Sequence, residues 1–312
     1  MSRARLYGLN VEADYDLHDV ADDFAGAPDV TVRSLPRFDD WAPLPDAEVL
    51  LDFATEKDHW YVLVRERSGR LTLRIPTLCD FVISDDLSNV TVAMHVGAQE
   101  GMDAVLTTGT LLSCLLFLRG NPVLHGSAVE VDASAIGFIG HSGQGKTTMA
   151  TAFCAEGAAS VTDDVLVIDV DGADSPTVRR GSRELRLREG TLELVGAGAE
   201  DGASRMSVDE RTVLTPRHTG AARLPLRAIV IPRPHRDGSP LSFERLSTRD
   251  AALAIMAFPR LMGWRDPVVL RQYFELAMAT ASAVPVVVGH VPWGEPFSGG
   301  LTAALLDAVA AT

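Results

Sequence analysis

The chain has 312 residues, of which 46% are hydrophobic and 22% charged, which is typical of a globular protein with one large or two small domains. The formal net charge of −14 disfavours nonspecific binding to nucleic acid or anionic membranes, because both need a cationic surface. The three cysteines are far apart and form no CxxC pair, which argues against a disulfide framework or a zinc site.

The apolar segments give no sign of export or membrane insertion. The first residues contain no long apolar run, so we expect no signal peptide. The most apolar stretch, residues 105–118, is shorter than a bilayer span and contains Thr, Gly and Ser, so we expect a buried helix there. The sequence therefore predicts a cytoplasmic protein with neither membrane nor nucleic-acid partners.

Residues 1–101 predict a smaller, β-rich N-terminal module. Ser68-Gly69 is a turn signal between two apolar runs and predicts a hairpin. The predicted strands are 47–53, 59–65, 71–75, 81–84 and 89–94. No pattern in this module points to catalysis.

Residues 102–312 predict a second domain in which strands and helices alternate. A helix over 102–119 ends at Gly120, a good C-terminal stop. The strand at 135–139 is apolar throughout, so we expect it to be buried on both faces. The other predicted strands are 123–131, 161–169, 184–188, 226–232 and 285–291, and the other predicted helices are 147–156, 247–258, 266–283 and 301–311.

A glycine-rich segment follows strand 135–139 and opens the next helix. It matches the pattern G-x-x-x-x-G-K-[ST] of a phosphate-binding loop. Its residues are Gly140, His141, Ser142, Gly143, Gln144, Gly145, Lys146 and Thr147, with Thr148 next in the helix. The glycines let backbone amides surround phosphates, and the helix adds its positive N-terminal end. Lys146 can reach the β- and γ-phosphates and Thr147 can ligate Mg²⁺, so the sequence predicts binding of ATP, or a close relative, with Mg²⁺.

Two further features flank this loop in the sequence. Asp163-Asp164 is expected to open a strand, which would point the two carboxylates to opposite sides. One could hold Mg²⁺ and the other could accept a proton from an attacking hydroxyl, although a solvated acidic pair fits the local sequence equally well. His125, one strand before the loop, could contact a carboxylate or the γ-phosphate, or could be structural.

The order and spacing of these three features resemble the HPr kinase/phosphorylase family. That family has a His-Gly before its phosphate loop and an Asp-Asp at the start of the strand after it, as in residues 124–168 here. The resemblance implies a mixed α/β protein with a P-loop kinase core of the phosphoenolpyruvate-carboxykinase/HPr-kinase type that phosphorylates a serine hydroxyl. It also implies site roles, in which Lys146 and the loop amides bind phosphates, Thr147 and Asp164 hold Mg²⁺, Asp163 is the general base and His125 supports the aspartates.

The sequence differs from the usual pattern of that family in two features. Thr147-Thr148 stands where the family usually has Ser-Glu, and the glycine-rich signature expected after the Asp-Asp is not found. These departures argue against phosphorylase activity, hexameric assembly and HPr as the acceptor. The chain is more similar to divergent HPr-kinase-like proteins of bacterial gene clusters, some of which phosphorylate a serine of a lasso-peptide precursor. That group also has a segment similar to residues 71–76 and a basic residue near the position of Arg211.

Arginines crowd the region after the Asp-Asp pair. Their guanidinium groups suit phosphate oxygens and acidic peptide groups, although a solvated basic face is an alternative. They are Arg179, Arg180, Arg183, Arg186, Arg188, Arg205, Arg211 and Arg217. We expect Arg211 to contact the γ-phosphate or the transition state, and we expect Trp264 and Trp293 to be packing residues.

Three functions remain open from the sequence. The first is a kinase for a serine hydroxyl of a peptide or protein. The second is a kinase for a free small molecule such as an amino acid, a sugar or a natural-product intermediate. The third is a non-catalytic ATP-binding regulatory protein. The presence of both Asp163 and His125 favours catalysis, and the oligomeric state is open.

Overall fold

The computed structural model describes residues 1–18, 24–170, 175–195, 203–293 and 300–310. The chain is a mixed α/β protein, as the sequence predicts, and it divides into two compact units. The first unit contains residues 1–120 and 261–272, and the second contains 121–260 and 273–312. The predicted boundary at 101/102 therefore differs from this division, because the helical segment after residue 101 belongs to the first unit.

In the described part of the first unit, the strands form an eight-stranded sheet with the order β1-β2-β3-β8-β7-β6-β5-β4. These strands are β1 (Ser2–Leu6), β2 (Leu9–Ala13), β3 (Val30–Ser34), β4 (Glu48–Ala54), β5 (His59–Arg65), β6 (Leu71–Ile75), β7 (Cys79–Ile83) and β8 (Asn89–Met94). The predicted hairpin is confirmed, since β5 and β6 pair antiparallel around Gly69, which has φ +88°. The predictions missed β1 to β3.

The predicted helix over 102–119 is confirmed, with a change of winding in its middle. It consists of α1 (Met102–Leu106), a π-helical segment (Thr107–Leu111) and α2 (Leu112–Leu118). The π segment has the sequence TTGTL, whose β-branched and glycine residues are weak helix formers. Residues of α2 are almost entirely buried, as expected for this apolar stretch. No helix in the described ranges is both long enough and apolar enough to span a membrane.

The second unit carries the phosphate loop on its main sheet. Its strands are β9 (Val123–Val131), β10 (Ser134–Ile139), β11 (Ala159–Thr162), β12 (Val165–Asp169), β13 (Thr177–Arg179), β14 (Leu185–Leu187), β15 (Ala203–Met206), β16 (Thr212–Thr215), β17 (Arg223–His235), β18 (Ser242–Arg245) and β19 (Val286–Pro292). The order in the main sheet is β10-β9-β12-β13-β17-β19-β18, with β11 also paired to β9 and β10 to β17. β14, β16 and β15 form a separate sheet.

The helices that follow are α3 (Lys146–Ala155), α4 (Thr191–Val195), α5 (Thr248–Met256), α6 (Pro267–Ala283) and α7 (Leu301–Ala310). The predicted N-cap of α5 is confirmed, because the Ser247 hydroxyl accepts a hydrogen bond from the Asp250 amide. Residue 311, which the predicted last helix included, lies outside the described residues. The core beside the loop is apolar, and Phe138 of β10 packs edge-on against Phe153 of α3 with ring centroids 5.2 Å apart.

One predicted strand is wrong, and the difference changes where Asp163 and Asp164 lie. Residues 161–169 were expected to form a single strand, but they belong to β11 and β12, which are separated at Asp163-Asp164. Both strands pair antiparallel with the long strand β9. β11 pairs opposite Ala128–Glu130 and β12 opposite Val123–His125. The two aspartates therefore lie in a turn, not at alternate positions of a strand.

Candidate active site

The phosphate loop connects the buried strand β10 to helix α3, which is the context that the sequence predicted. Gly143 and Gly145 have φ of +83° and +89°, a left-handed conformation that side chains other than glycine rarely adopt. The loop is braced internally, because the His141 amide donates to Oε1 of Gln144 at 2.5 Å. Gly145 is the N-cap of α3, so the first amides of that helix can face an anion.

Lys146 lies deep in the site and is only 5% exposed. Its Nζ atom donates to the backbone carbonyl of His141 at 2.9 Å, which holds the side chain along the loop. Burial lowers the pKa of Lys146 to about 8, although the nearby Asp164 and Asp163 oppose this shift. Contacts with phosphate oxygens would therefore stabilise the ammonium group and compensate for its desolvation.

Asp163 is the buried member of the aspartate pair, at 5% exposed. Its Oδ1 atom accepts hydrogen bonds from the hydroxyls of Thr147, at 2.9 Å, and Ser127, at 2.5 Å. Its Oδ2 atom accepts from the backbone amide of Arg186 at 3.0 Å. Burial raises the pKa of Asp163 above its ordinary value despite these donors. The Thr147 hydroxyl and the Asp163 carboxylate are thus linked by a direct hydrogen bond.

Asp164 lies in a tight turn and points to different partners. It has φ +67°, and the Val165 amide donates to the Asp163 carbonyl at 2.8 Å, so Asp164 is the central residue of a γ-turn. Its carboxylate lies 3.1 Å from Nδ1 of His125. Arg260 donates to Oδ2 through Nε, at 3.1 Å, and through Nη2, at 2.7 Å.

Asp164 therefore differs from Asp163 in the direction of its pKa shift and in access. Partial desolvation in the cavity opposes its ionisation, but Arg260 and His125 outweigh that cost and hold the pKa of Asp164 well below its ordinary value. Its side chain is 37% exposed, whereas Asp163 is buried.

Arg260 is a site residue that sequence reasoning missed. The segment after α5 pairs with the beginning of β9, where the Arg260 amide donates to the Val123 carbonyl at 2.8 Å and Leu124 bridges to Pro259. This pairing brings Arg260 beside Asp164, 96 residues earlier in the chain. No local pattern marks Arg260, since it follows an ordinary helix and a proline.

A cavity of about 570 Å³ opens in front of the loop. Its walls are basic although the chain as a whole is acidic. The cationic lining residues are Lys146, Arg186, Arg188, Arg211 and Arg236, and the acidic ones are Asp163, Asp164 and Glu189. His125 and Trp293 also line it, as do the loop residues Ser142, Gly143, Gly145, Thr147 and Thr148. A basic cavity around a glycine-rich loop at a helix N-terminus suits a polyphosphate.

The arginines have different partners within this cavity. Arg211 lines the cavity, and its Nε atom lies 3.3 Å from the Asp209 carboxylate, which also pairs with Arg186. Arg188 instead reaches the loop, because its Nη2 donates to the Ser142 hydroxyl at 2.8 Å. Arg188 is therefore better placed than Arg211 to contact a bound phosphate.

The loop threonine also fits a magnesium ion. Thr147 donates its proton to Asp163, so its oxygen lone pairs stay available for a cation. Mg²⁺ in nucleotide sites needs only one or two protein oxygens, because phosphates and waters supply the rest. Thr147 and Asp163 meet that requirement, whereas the sequence-based expectation paired Thr147 with Asp164, which is held by Arg260 and His125.

The low pKa of Lys146 gives a prediction that its own titration can test. The chain has two lysines, Lys146 and Lys57, so labelling by an amine-reactive reagent can be followed at each site by mass spectrometry. We expect Lys146 to become reactive as pH rises through about 8, because the neutral amine is the nucleophile. ATP with Mg²⁺ should suppress its labelling and move its titration to higher pH.

The exposed Lys57 is the internal control for reagent activity. Phosphate binding needs the protonated Lys146, so affinity for ADP should be full below pH 8 and should decline above it. Titration of Lys146 near the ordinary lysine value would contradict this description.

No family model matches this sequence, and no curated protein matches it significantly. Among solved structures, the chain is similar to the HPr(Ser) kinase/phosphatase from Coxiella burnetii, with 10% sequence identity and a TM-score of 0.29. The match covers 61% of this chain and 93% of that chain. This is a weak structural similarity to a kinase, and the chemistry of the site follows from the residues described above.

Proposed function

We propose that this protein is a kinase that transfers the γ-phosphate of ATP to a serine-type hydroxyl of a peptide or protein. The observation that carries the proposal is the convergence of two groups in one basic cavity. One group is the phosphate loop with Lys146 and the Thr147–Asp163 pair. The other is the accessible Asp164, held by His125 and Arg260. A phosphate cradle with an oriented carboxylate beside it is what phosphoryl transfer to a hydroxyl requires.

The residues divide into a donor side and an acceptor side. On the donor side, the loop amides, Lys146 and Arg188 would bind the β- and γ-phosphates. Thr147 and Asp163 would hold Mg²⁺, which would offset the negative charge on the phosphate oxygens. Because Asp163 is only 5% exposed, an acceptor hydroxyl has little access to it.

On the acceptor side, we assign the role of base to Asp164 in place of Asp163. The acceptor oxygen would attack the γ-phosphorus while the bond to the bridging β–γ oxygen breaks, and the hydroxyl proton would pass to Asp164. Its low pKa keeps it ionised across the neutral range. Phosphoryl transfer depends mainly on positioning and charge stabilisation, so an oriented, weakly basic carboxylate is adequate. His125 and Arg260 would act as positioning residues.

We propose a peptide or protein, and not a free small molecule, as the acceptor. This choice is supported by the sequence resemblance to divergent HPr-kinase-like proteins that phosphorylate peptide serines. The cavity is also compatible with this choice, because it is large and contains arginines that could bind acidic peptide groups.

The test uses purified full-length protein, γ-labelled ATP and Mg²⁺ with two separate acceptor pools. One pool is a serine-containing peptide library, and the other is a mixture of free amino acids and sugars. We expect label in the peptide pool and its loss in Asp164→Asn. Label in the small-molecule pool alone would favour a small-molecule kinase. ATP binding with no transfer above the level of Asp164→Asn in either pool would contradict a catalytic role.

A further inference from the structure

Neighbouring parallel strands of the second unit end at one edge of its sheet. β10 pairs in parallel with β17, and β17 pairs in parallel with β19. The phosphate loop follows β10, Arg236 follows β17 and Trp293 follows β19. Ligands of open α/β sheets bind outside the carboxyl ends of parallel strands. The loop, Arg236 and Trp293 are therefore parts of one binding region.

β17 and β19 continue well past the end of β10. Val230 pairs with Phe138, which lies one residue before the end of β10, and β17 runs five residues further to His235. β19 matches this extension, since Pro292 pairs with His235. β17 therefore extends four residues beyond the end of β10, which span roughly 13 Å, and the two strands form a wall that rises beside the phosphate loop. The Trp293 amide donates to the His235 carbonyl at 2.8 Å and fixes Trp293 at the top of this wall.

The indole of Trp293 lies directly against the loop. A Cβ atom at Gly145 would lie 2.7 Å from Cη2 of Trp293, so only glycine admits the ring at this distance. Trp293 packs partly against the core, as expected from the sequence, but it also lines the cavity together with Thr148 and Arg236. Phosphates need amides and cations, which the loop supplies. An aromatic ring adds neither, but it offers a π face to a planar group.

We propose that Trp293 is the stacking platform for the base of the donor nucleotide, with Arg236 as a planar cationic neighbour. This inference rests on the proposed function, because it assumes that phosphates occupy the loop. Stacking tolerates any base, since every base has a π face. We therefore infer that the donor is a nucleoside triphosphate with little discrimination between ATP and GTP, and that inorganic tripolyphosphate lacks this contact.

The test compares the affinities of the full chain for ATP, GTP and tripolyphosphate, each with Mg²⁺, by calorimetry. Trp293→Ala should weaken ATP and GTP binding by roughly fivefold to 150-fold, the range measured for base stacking on aromatic side chains. Its affinity for tripolyphosphate should stay unchanged, which also shows that the loop remains folded. Trp293→Phe should retain most of the nucleotide affinity, because it keeps an aromatic face.

Tryptophan fluorescence gives an independent readout. ATP should quench part of the wild-type emission, tripolyphosphate should not, and the quenching should disappear in Trp293→Phe while Trp41, Trp60 and Trp264 still emit. An equal loss of tripolyphosphate and ATP affinity in Trp293→Ala would overturn the inference, because the ring would then only shape the loop. Unchanged ATP affinity in that variant would also overturn it. Failure of the wild type to bind both ATP and tripolyphosphate would overturn the proposed function as well.

Discussion

Lys146→Met should abolish most phosphoryl transfer, with kcat/KM reduced by about a hundredfold to a thousandfold, as for the loss of other charge-stabilising groups in active sites. ATP affinity should fall as well, because Lys146 is a buried cation that lies along the phosphate loop, with Nζ 2.9 Å from the His141 carbonyl. The effect should be electrostatic, since methionine preserves most of the side-chain volume.

Folding should survive this substitution. Lys146 is buried with a pKa lowered by desolvation, so replacement by an apolar side chain removes a desolvation cost. Thermal unfolding should therefore show unchanged or increased stability. Lys57→Met is the matched control, because Lys57 is exposed and is the only other lysine of the chain. Wild-type turnover in Lys146→Met would rule out the assignment of this loop as the phosphate site.

Asp164→Asn should reduce transfer by about a hundredfold to ten-thousandfold, the usual contribution of a positioned general base. It should leave ATP affinity intact or increase it, because the carboxylate that faces the cavity loses its negative charge while Arg260 keeps its positive charge. The measurement is turnover on the labelled acceptor together with ATP affinity in the presence and absence of Mg²⁺.

Asp163→Asn is the informative comparison for this variant. In this variant Mg²⁺ should increase ATP affinity less than in the wild type, because the Asp163 carboxylate accepts a hydrogen bond from the Thr147 hydroxyl. Asp164→Asn should not alter that increase. If Asp164→Asn keeps wild-type turnover while Asp163→Asn loses it without any change in the effect of Mg²⁺, the assignment of the base to Asp164 is wrong. The sequence-based assignment to Asp163 would then hold.

Local sequence was sufficient to predict the phosphate loop and the strands and helix next to it. Periodicity and apolar runs predicted β9, β10 and α3 to within one or two residues, because their patterns are strong and short-range. The glycine pattern placed the loop between a buried strand and a helix. The N-terminal strands β1 to β3 were missed because they are short and mix charged with apolar residues, as in the sequence SRARL of β1.

The division of labour between Asp163 and Asp164 could not be predicted in the same way. A continuous strand would alternate the two carboxylates, but the bend between β11 and β12 sends them to different partners. The partners that decide their roles, Ser127 and Arg260, are 36 and 96 residues away. Arg188 was recognised only as one member of a basic cluster, and its contact with Ser142 depends on the folding of β14 beside the loop.

The most direct test of the central claim is a crystal structure of the protein with Mg²⁺ and a non-hydrolysable ATP analogue. We expect the triphosphate to lie on the amides of the phosphate loop, with Lys146 and Arg188 on its terminal phosphate and the metal ion on Thr147. We also expect the Asp164 carboxylate, held by His125 and Arg260, to face the γ-phosphate across a space large enough for a hydroxyl. A nucleotide bound away from the loop, or a γ-phosphate directed away from Asp164, would contradict the account.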